Sequence, residues 1–153
     1  MRKSMLWIMM VSLGFIMHGN VFAQSAKADD IKGIWLNEDK DARMEIYKTG
    51  NKFFGKIVWL KTPIDPDTGK PKVDKNNPDP KKRTTPTLGL VIIKDFNFAD
   101  GAWSDGTIYD PKSGKTYKCV MKMPEKNVLD VRGYVGASWM GLGRTTTWSR
   151  VNP

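Results

Sequence analysis

Residues 43–60 read RMEIYKTGNKFFGKIVWL and carry an alternating apolar pattern on both sides of a short polar centre. Met44 and Ile46 alternate with polar or amphipathic residues, and a second apolar alternation begins at Phe53, after Thr49-Gly50-Asn51-Lys52. Side chains of a β-strand point alternately to opposite faces, so each arm predicts a half-buried strand. The short Gly-Asn centre predicts a tight turn between the two arms. Residues 43–60 therefore predict an antiparallel hairpin.

The same pattern extends outward to both ends of the chain. A single helical turn is expected near residues 29–32, and no stretch shows a sustained 3.6-residue apolar period. The glycine-rich residues 136–143 predict an apolar connection or a bent strand. Short turns separate the further predicted strands, which are residues 33–36, 88–95, 102–109, 115–123, 128–135 and 144–151. The order favours an all-β fold, an up-and-down antiparallel β-barrel of about eight strands, with a sandwich as the alternative.

The first 23 residues differ in composition from the rest. Arg2 and Lys3 form a basic head, residues 5–17 form an apolar run, and Val21-Phe22-Ala23 supplies a cleavage site. This order is typical of a secretory signal peptide. The run is shorter than the roughly 20 residues that span a membrane, and no cysteine follows it to carry a lipid anchor. We expect cleavage after Ala23, and residues 24–153 as one periplasmic or secreted domain that does not span the membrane.

Histidine and cysteine usage narrows the chemistry. The chain has one His and one Cys, and His18 lies inside the predicted leader. Without it, Ser-His-Asp and Cys-His catalysis is excluded, and Cys119 alone provides no zinc site. No acid/base pair of carboxylates is evident. We expect a protein that is not an enzyme and that binds no metal and no cofactor.

The charge balance limits the partners. Lys and Arg number 25 against 16 Asp and Glu, a net charge of +9, of which the leader carries two charges. Residues 81–83, Lys-Lys-Arg, form the only basic cluster, and aromatic residues are not interleaved with it as single-strand binding requires. We expect no nucleic-acid partner, and interpret the charge mainly as solubility.

Alternation along the predicted strands places a set of uncharged side chains in the interior of the barrel. The inward set is Met44, Ile46, Phe53, Ile57, Trp59, Tyr117, Cys119, Met121, Met123, Leu129, Val131 and Val135. An eight-stranded barrel is filled by such side chains or holds one small ligand, and both readings stay open here. Cys119 alternates with polar residues, which favours a buried apolar side chain over a reactive thiol. The candidate ligand-binding residues are Ile57, Trp59, Tyr109, Tyr117, Cys119, Met121 and Trp139, with the Tyr hydroxyls orienting a polar head.

Residues 61–87 form the least ordinary segment. They hold six prolines, seven Lys or Arg and four Asp. Structureless connections of this length are usually functional or disordered. A solvated loop, a lid over the cavity and a surface for an anionic partner are the three alternatives. If the barrel is filled and acts through its surface on another envelope protein, the candidate contacts are Asn77, Asp79, Arg132 and Tyr134.

Gly33-Ile34-Trp35 resembles the G-x-W signature of lipocalins. The resemblance implies that Trp35 closes one end of the barrel and stacks under an Arg of the last strand. Arg150 is placed for this contact, with Arg144 as the alternative. Such a cation–π contact is worth about 0.5–2 kcal/mol.

A second resemblance covers almost the whole chain after the leader. Its segments are GKIVWL (55–60), NPDP (77–80), IYDP (108–111), SGKTYKC (113–119), VRGYVG (131–136) and GRTTTW (143–148). Together they resemble the bacterial secreted family catalogued as domain of unknown function 2147. The resemblance implies a lipocalin-like (calycin-type) β-barrel exported to the periplasm, with no established activity, substrate or cofactor. Residues 81–87, KKRTTPT, depart from the family pattern of an Arg followed by Pro-Leu.

These observations favour a barrel that binds a small apolar or amphipathic molecule. The alternative is a filled barrel acting as a protein-binding or inhibitor module of the cell envelope.

Overall fold

The computed structural model describes residues 26–137 and 140–151. Within them, eight strands form a closed barrel in which each strand is antiparallel to the next, and β8 returns to pair with β1. The predicted eight-stranded up-and-down barrel is confirmed, and the sandwich is not found. The strands are β1 (Gly33–Leu36), β2 (Ala42–Thr49), β3 (Lys52–Leu60), β4 (Val91–Ala99), β5 (Ala102–Asp110), β6 (Lys115–Glu125), β7 (Val128–Tyr134) and β8 (Gly143–Arg150).

The predicted leader, residues 1–23, and the candidate Trp139 lie outside the described residues. No helix in the described part of the chain has the length and apolar character needed to cross a membrane.

The hairpin of β2 and β3 forms as the alternation indicates. The two strands pair from Thr49↔Lys52 at the turn to Ala42↔Leu60 at the open end. Gly50 provides the left-handed backbone of the turn, with φ of 59°. That conformation costs little for a residue without a Cβ. The hairpin buries Met44, Ile46, Phe53 and Ile57, each at most 4% exposed.

The lower end of the barrel is closed by a 3₁₀ turn, Ala28–Ile31, that precedes β1. Ile31 and Trp35 are both 0% exposed. The indole Nε1 of Trp35 donates to the carbonyl of Ile31 at 2.8 Å, and that of Trp103 donates to the carbonyl of Ala28 at 3.1 Å. Two buried indoles thus fix the turn as a plug.

Arg150 completes this closure. Its guanidinium lies 4.2 Å from the centre of the Trp35 ring. It also donates to the carbonyl oxygens of Asp30 at 2.6 Å and Lys32 at 2.9 Å. Arg144, the alternative, lies at the other end of β8, where it pairs with Glu38. The last-strand arginine that stacks on Trp35 is therefore Arg150.

The lower half of the interior is filled by side chains. Phe53 and Trp103 meet edge to face with ring centres 6.4 Å apart. Side chains from all around the barrel join them, and Phe96, Trp103, Met121 and Leu129 are each 0% exposed. Of the two alternatives for the interior, filling by side chains therefore applies to this half of the barrel.

The upper end carries four connections, because neighbouring strands run in opposite directions. They link β1 to β2 (37–41), β3 to β4 (61–90), β5 to β6 (111–114) and β7 to β8 (135–142). We call this end the mouth. The connection from β3 to β4, which we call the strap, is by far the longest of the four.

Candidate functional site: a cavity at the barrel mouth

A cavity of about 670 Å³ opens at the mouth. Its apolar lining is supplied mainly by β2 to β5 and by β8, with one residue from the strap, and includes Ala42, Met44, Ile57, Leu60, Val73, Ile92, Ile108 and Trp148. Its charged lining comes mainly from the mouth connections, and comprises Glu38, Asp39, Asp41, Asp65, Lys72, Lys75, Asp110, Lys112 and Arg144. The cavity therefore has an apolar floor and a charged rim.

A smaller cavity of about 350 Å³ adjoins the first. The two share the lining residues Ile108, Asp110, Arg144 and Thr146. Tyr117 and Val131 lie on its inner side. The shared residues make the two cavities neighbouring parts of one open site.

Ion pairs hold the rim. Arg144 lies 3.1 Å from Glu38, and the Lys112 ammonium lies 2.7 Å from Asp41 and 3.5 Å from Asp39. The hydrogen bond to Asp41 raises the pKa of Lys112. Burial opposes ionisation of Asp41, but the hydrogen bonds from Lys112 and Asn37 outweigh it and lower the pKa of Asp41. The connection from β1 to β2 is thereby tied to β8 and to the turn after β5.

Asp74 anchors the strap over the mouth. Its side chain is 0% exposed, and it accepts hydrogen bonds from the Tyr109 hydroxyl at 2.7 Å and from Asn77 Nδ2 at 2.6 Å. Its backbone N–H donates to the carbonyl of Thr85 at 2.8 Å. Burial, followed by the hydrogen bond to Asp74, raises the pKa of Tyr109 to about 12. The hydroxyl therefore stays protonated and keeps its donor role at neutral pH.

A second anchor lies at the turn between β5 and β6. The side chain of Asn76 donates to the carbonyl of Lys112 at 2.8 Å. Gly114 has a φ of 69°, and a Cβ on it would overlap the carbonyl oxygen of Asn76. Isolated bridges, Ile64↔Pro71 and Val73↔Pro86, add local order. The strap is thus an ordered, anchored loop across the mouth, and most of its residues are exposed to solvent.

The candidate binding residues separate into three groups. Ile57 and Tyr109 line the larger cavity, and Tyr117 lines the smaller one. Cys119 and Met121 are buried at 1% and 0% exposed and line neither cavity. Burial raises the pKa of the Cys119 thiol to about 12, as a buried apolar side chain requires.

Trp59 is the candidate that the structure places elsewhere. Arg43 pairs with Trp59 but Met44 pairs with Ile57, so β3 has one extra residue at this point. Such a bulge reverses the inward and outward alternation. Trp59 does not line the cavity, and the centre of its ring lies 4.7 Å from the Arg43 guanidinium carbon. Leu60 lines the cavity in its place.

The surface candidates have mainly structural contacts. Asn77 holds Asp74, and the side chain of Asp79 accepts from the backbone N–H of Lys81 to begin a 3₁₀ turn, Pro80–Lys82. Tyr134 lines the smaller cavity, and Arg132 is half-buried on β7. Asn77 and Asp79 therefore stabilise the strap itself, and Tyr134 belongs to the cavity wall.

Sequence reasoning missed part of the floor and the main anchor. Trp148 follows the two-residue alternation of β8 with Thr146, so an assignment of that strand would have included it. In β5 the register shifts between Trp103 and Gly106, so simple alternation from Trp103 does not reach Ile108. Asp74 gives no such signal, because its partner Tyr109 lies 35 residues away.

The fold and the site together define a lipocalin-like barrel, plugged at one end and open to a cavity at the other. The family model for an uncharacterized protein conserved in bacteria (DUF2147) matches residues 33–150, and the chain belongs to this family.

Among solved structures, protein HP1028 from the human pathogen Helicobacter pylori, described as belonging to the lipocalin family, is similar to this chain. The TM-score is 0.67 at 26% identity, over 79% of this chain and 82% of that chain. No curated protein matches the sequence.

Proposed function

We propose that this protein is an exported binding protein for a small amphipathic molecule held in the mouth cavity. The observation that carries the proposal is the contrast between the two halves of the barrel. The lower half is filled by aromatic and aliphatic side chains, whereas the upper half encloses about 670 Å³ above an apolar floor. Cavities of about 300–1,000 Å³ with an apolar lining and a few polar groups are typical of small-molecule sites.

The rim favours a polar head group without a large net charge. Five carboxylates and four basic side chains line the larger cavity, so their charges nearly cancel. A strongly charged ligand would find no matching excess of opposite charge. The apolar part of the ligand would rest on Ile57, Ile92 and Trp148, and its polar part would meet the rim.

We propose binding without chemical conversion. The rim carboxylates Glu38, Asp41 and Asp65 are engaged in ion pairs with Arg144, Lys112 and Lys75. Tyr109 is held protonated against Asp74. These contacts hold the strap and the rim in place, which supports a structural rather than a catalytic role.

Native mass spectrometry of the protein purified from its own envelope tests the ligand proposal. We expect a co-purifying small molecule that is lost on denaturing extraction. Ile108→Trp fills the space shared by both cavities and should abolish this adduct and the binding of the apolar dye N-phenyl-1-naphthylamine. Thr107→Trp is the matched control, because Thr107 pairs with the exposed Lys94 and Lys118 on the outer face.

Two outcomes would count against the proposal. One is an adduct and a dye signal that survive Ile108→Trp unchanged. The other is a protein free of any small molecule and of dye binding but bound to a second envelope protein, which would support the surface-acting alternative.

The predicted signal peptide, residues 1–23, supports export as part of the same proposal. Intact-mass analysis of the exported protein should give a chain that begins at Gln24. A mass that includes residues 1–23 would contradict cleavage after Ala23.

A further inference from the structure

The exposed apolar side chains of this protein are concentrated at the mouth. Among the residues that the structure describes, seven large apolar side chains are exposed, and Ile34 on β1 is the one that lies away from the mouth connections. The other six belong to the strap or to the connection from β7 to β8, and are Ile64, Val73, Leu88, Val135, Met140 and Leu142. Exposed apolar groups gathered in this way mark an interaction surface.

Two apolar lips face each other across the opening. On one side Val135 and Leu142 are 60% and 61% exposed, and the N–H of Val135 donates to the carbonyl of Leu142 at 3.0 Å. They therefore stand side by side, with Met140 near them. On the other side Leu88 is 52% and Ile64 45% exposed in the strap. Val135 and Leu142 also line the smaller cavity, whereas Ile64 and Leu88 line neither cavity, so ligand enclosure does not account for these two strap residues.

The mouth is also basic. The four mouth connections, residues 37–41, 61–90, 111–114 and 135–142, together hold nine Lys or Arg against seven Asp or Glu. One of the acids, Asp74, is fully buried, and those of the connection from β1 to β2 are paired with Lys112 and Arg144. Lys70 and Lys81 are exposed and have no ion pair among the described residues.

We propose that the mouth end docks on an anionic lipid bilayer, with the two apolar lips inserted between the head groups and the strap lysines against the lipid charge. Interfacial binding of this kind needs apolar area and basic charge on the same surface, and the mouth supplies both. A second copy of the chain fits less well, because its mouth carries the same positive excess. The inference goes beyond the ligand proposal and does not depend on it.

Vesicle co-sedimentation tests the docking surface. We expect the protein to bind vesicles of phosphatidylglycerol and phosphatidylethanolamine at low salt, and to bind phosphatidylcholine vesicles much more weakly. Added salt should weaken the binding, since screening reduces the attraction of the lysines to the lipid. The double variant Ile64→Ser, Leu88→Ser should lower the partition coefficient about fivefold or more. Both side chains are exposed, so folding should be retained, and circular dichroism checks it.

Matched variants separate this surface from general effects. Ile34→Ser removes a side chain that is 39% exposed on β1 and should leave vesicle binding unchanged. Lys70→Gln with Lys81→Gln should weaken binding, whereas Lys94→Gln with Lys118→Gln, which removes the same charge from the barrel wall, should have a smaller effect. All variants share one N-terminus, so a retained leader would not alter the comparison.

The docking proposal is overturned if the wild-type protein binds no vesicle, or if Ile34→Ser weakens binding as much as the strap variant does. A change in oligomeric state on size exclusion caused by the strap variant, without vesicle binding by the wild type, would instead assign the lips to a second copy. Absence of any small-molecule adduct and of dye binding from the wild-type protein, with intact vesicle binding, would contradict only the ligand proposal.

Discussion

Arg150 is the residue whose contacts most directly close the barrel. It stacks on Trp35 at 4.2 Å and donates to three backbone carbonyls, those of Asp30, Lys32 and Lys126. We expect Arg150→Ala to lower the free energy of unfolding by about 2–3 kcal/mol, because it removes the cation–π contact and the three hydrogen bonds of the half-buried guanidinium. Urea denaturation followed by tryptophan fluorescence measures the change.

Arg144→Ala is the control for this prediction. Arg144 makes an exposed ion pair with Glu38, and such pairs contribute about 0–1 kcal/mol. Equal losses for the two variants would show that the plug contacts of Arg150 add nothing beyond surface charge.

Tyr109 gives the strap anchor a pH dependence. Burial and the hydrogen bond to Asp74 raise its pKa from 10.0 to about 12, so folding favours the neutral hydroxyl. This contribution is complete below pH 10 and is lost as the pH rises to about 12. The free energy of unfolding should therefore fall more steeply over this range in the wild type than in Tyr109→Phe.

Ultraviolet titration of the tyrosinates provides a direct check. The chain has four Tyr, and Tyr109→Phe should remove the one that ionises at about pH 12. Asp74→Asn removes the neighbouring charge and should move this ionisation to lower pH. Parallel stability curves for the wild type and Tyr109→Phe would contradict the assignment.

At the scale of elements, the strap is held by its fit against the turn between β5 and β6. Gly114 and Gly69 have nearly the same φ, 69° and 67°, but only at Gly114 would a Cβ meet a neighbour, the Asn76 carbonyl. We expect Gly69→Ala to cost about 1 kcal/mol for the left-handed backbone alone. Gly114→Ala should cost more and should also release the strap.

Hydrogen exchange of residues 61–87 distinguishes the two glycine variants. The amides that the strap bonds protect, such as that of Asp74, should exchange faster in Gly114→Ala than in Gly69→Ala. The same exchange rates in both variants would mean that the Asn76 contact does not hold the strap.

The elements show how far alternation carries a prediction. Most strand bounds agree within a few residues because the polar and apolar residues alternate with the pleat. Prediction fails where a bulge interrupts the alternation. The predicted strand 88–95 stops before Phe96, whereas β4 continues to Ala99 past Asp95, whose φ is 65°. The extra residue near Trp59 leaves the predicted bounds of β3 correct but changes the face of the strand on which Trp59 lies.

The cavity could be predicted only in part. Ile57 and Tyr117 follow from their strands, because the pleat alone turns them inward. The charged rim depends on contacts between distant connections, such as that of Lys112 with Asp41, and a single sequence does not reveal them. Whether the interior is filled depends on the volume of the inward side chains relative to the volume of the barrel. The lower half is filled, whereas the upper half contains the cavity.

For the whole molecule, the seam between β1 and β8 is the narrowest pairing of the barrel. It has two registered residue pairs, Trp35↔Arg150 and Leu36↔Ser149, against eight between β2 and β3. Fewer shared hydrogen bonds mean a lower cost of local opening. We expect the amides of the β1–β8 seam to exchange faster than those of the hairpin from β2 to β3, as measured by hydrogen exchange under native conditions. Faster amide exchange in the hairpin would show that the contacts of Arg150 and the plug stabilise the β1–β8 seam against local opening more than its short pairing weakens it.

The plug at Ile31 and Trp35 leaves the barrel with a single doorway. The proposed ligand would enter past the strap and leave along the same path in reverse. The barrel would therefore hold the ligand and would not act as a channel. A change that only lowers the barrier at the strap would speed loading and release by the same factor and leave the equilibrium affinity unaltered. For the proposed ligand, exchange would therefore be a kinetic property of the strap, separate from the cavity floor that would set the affinity.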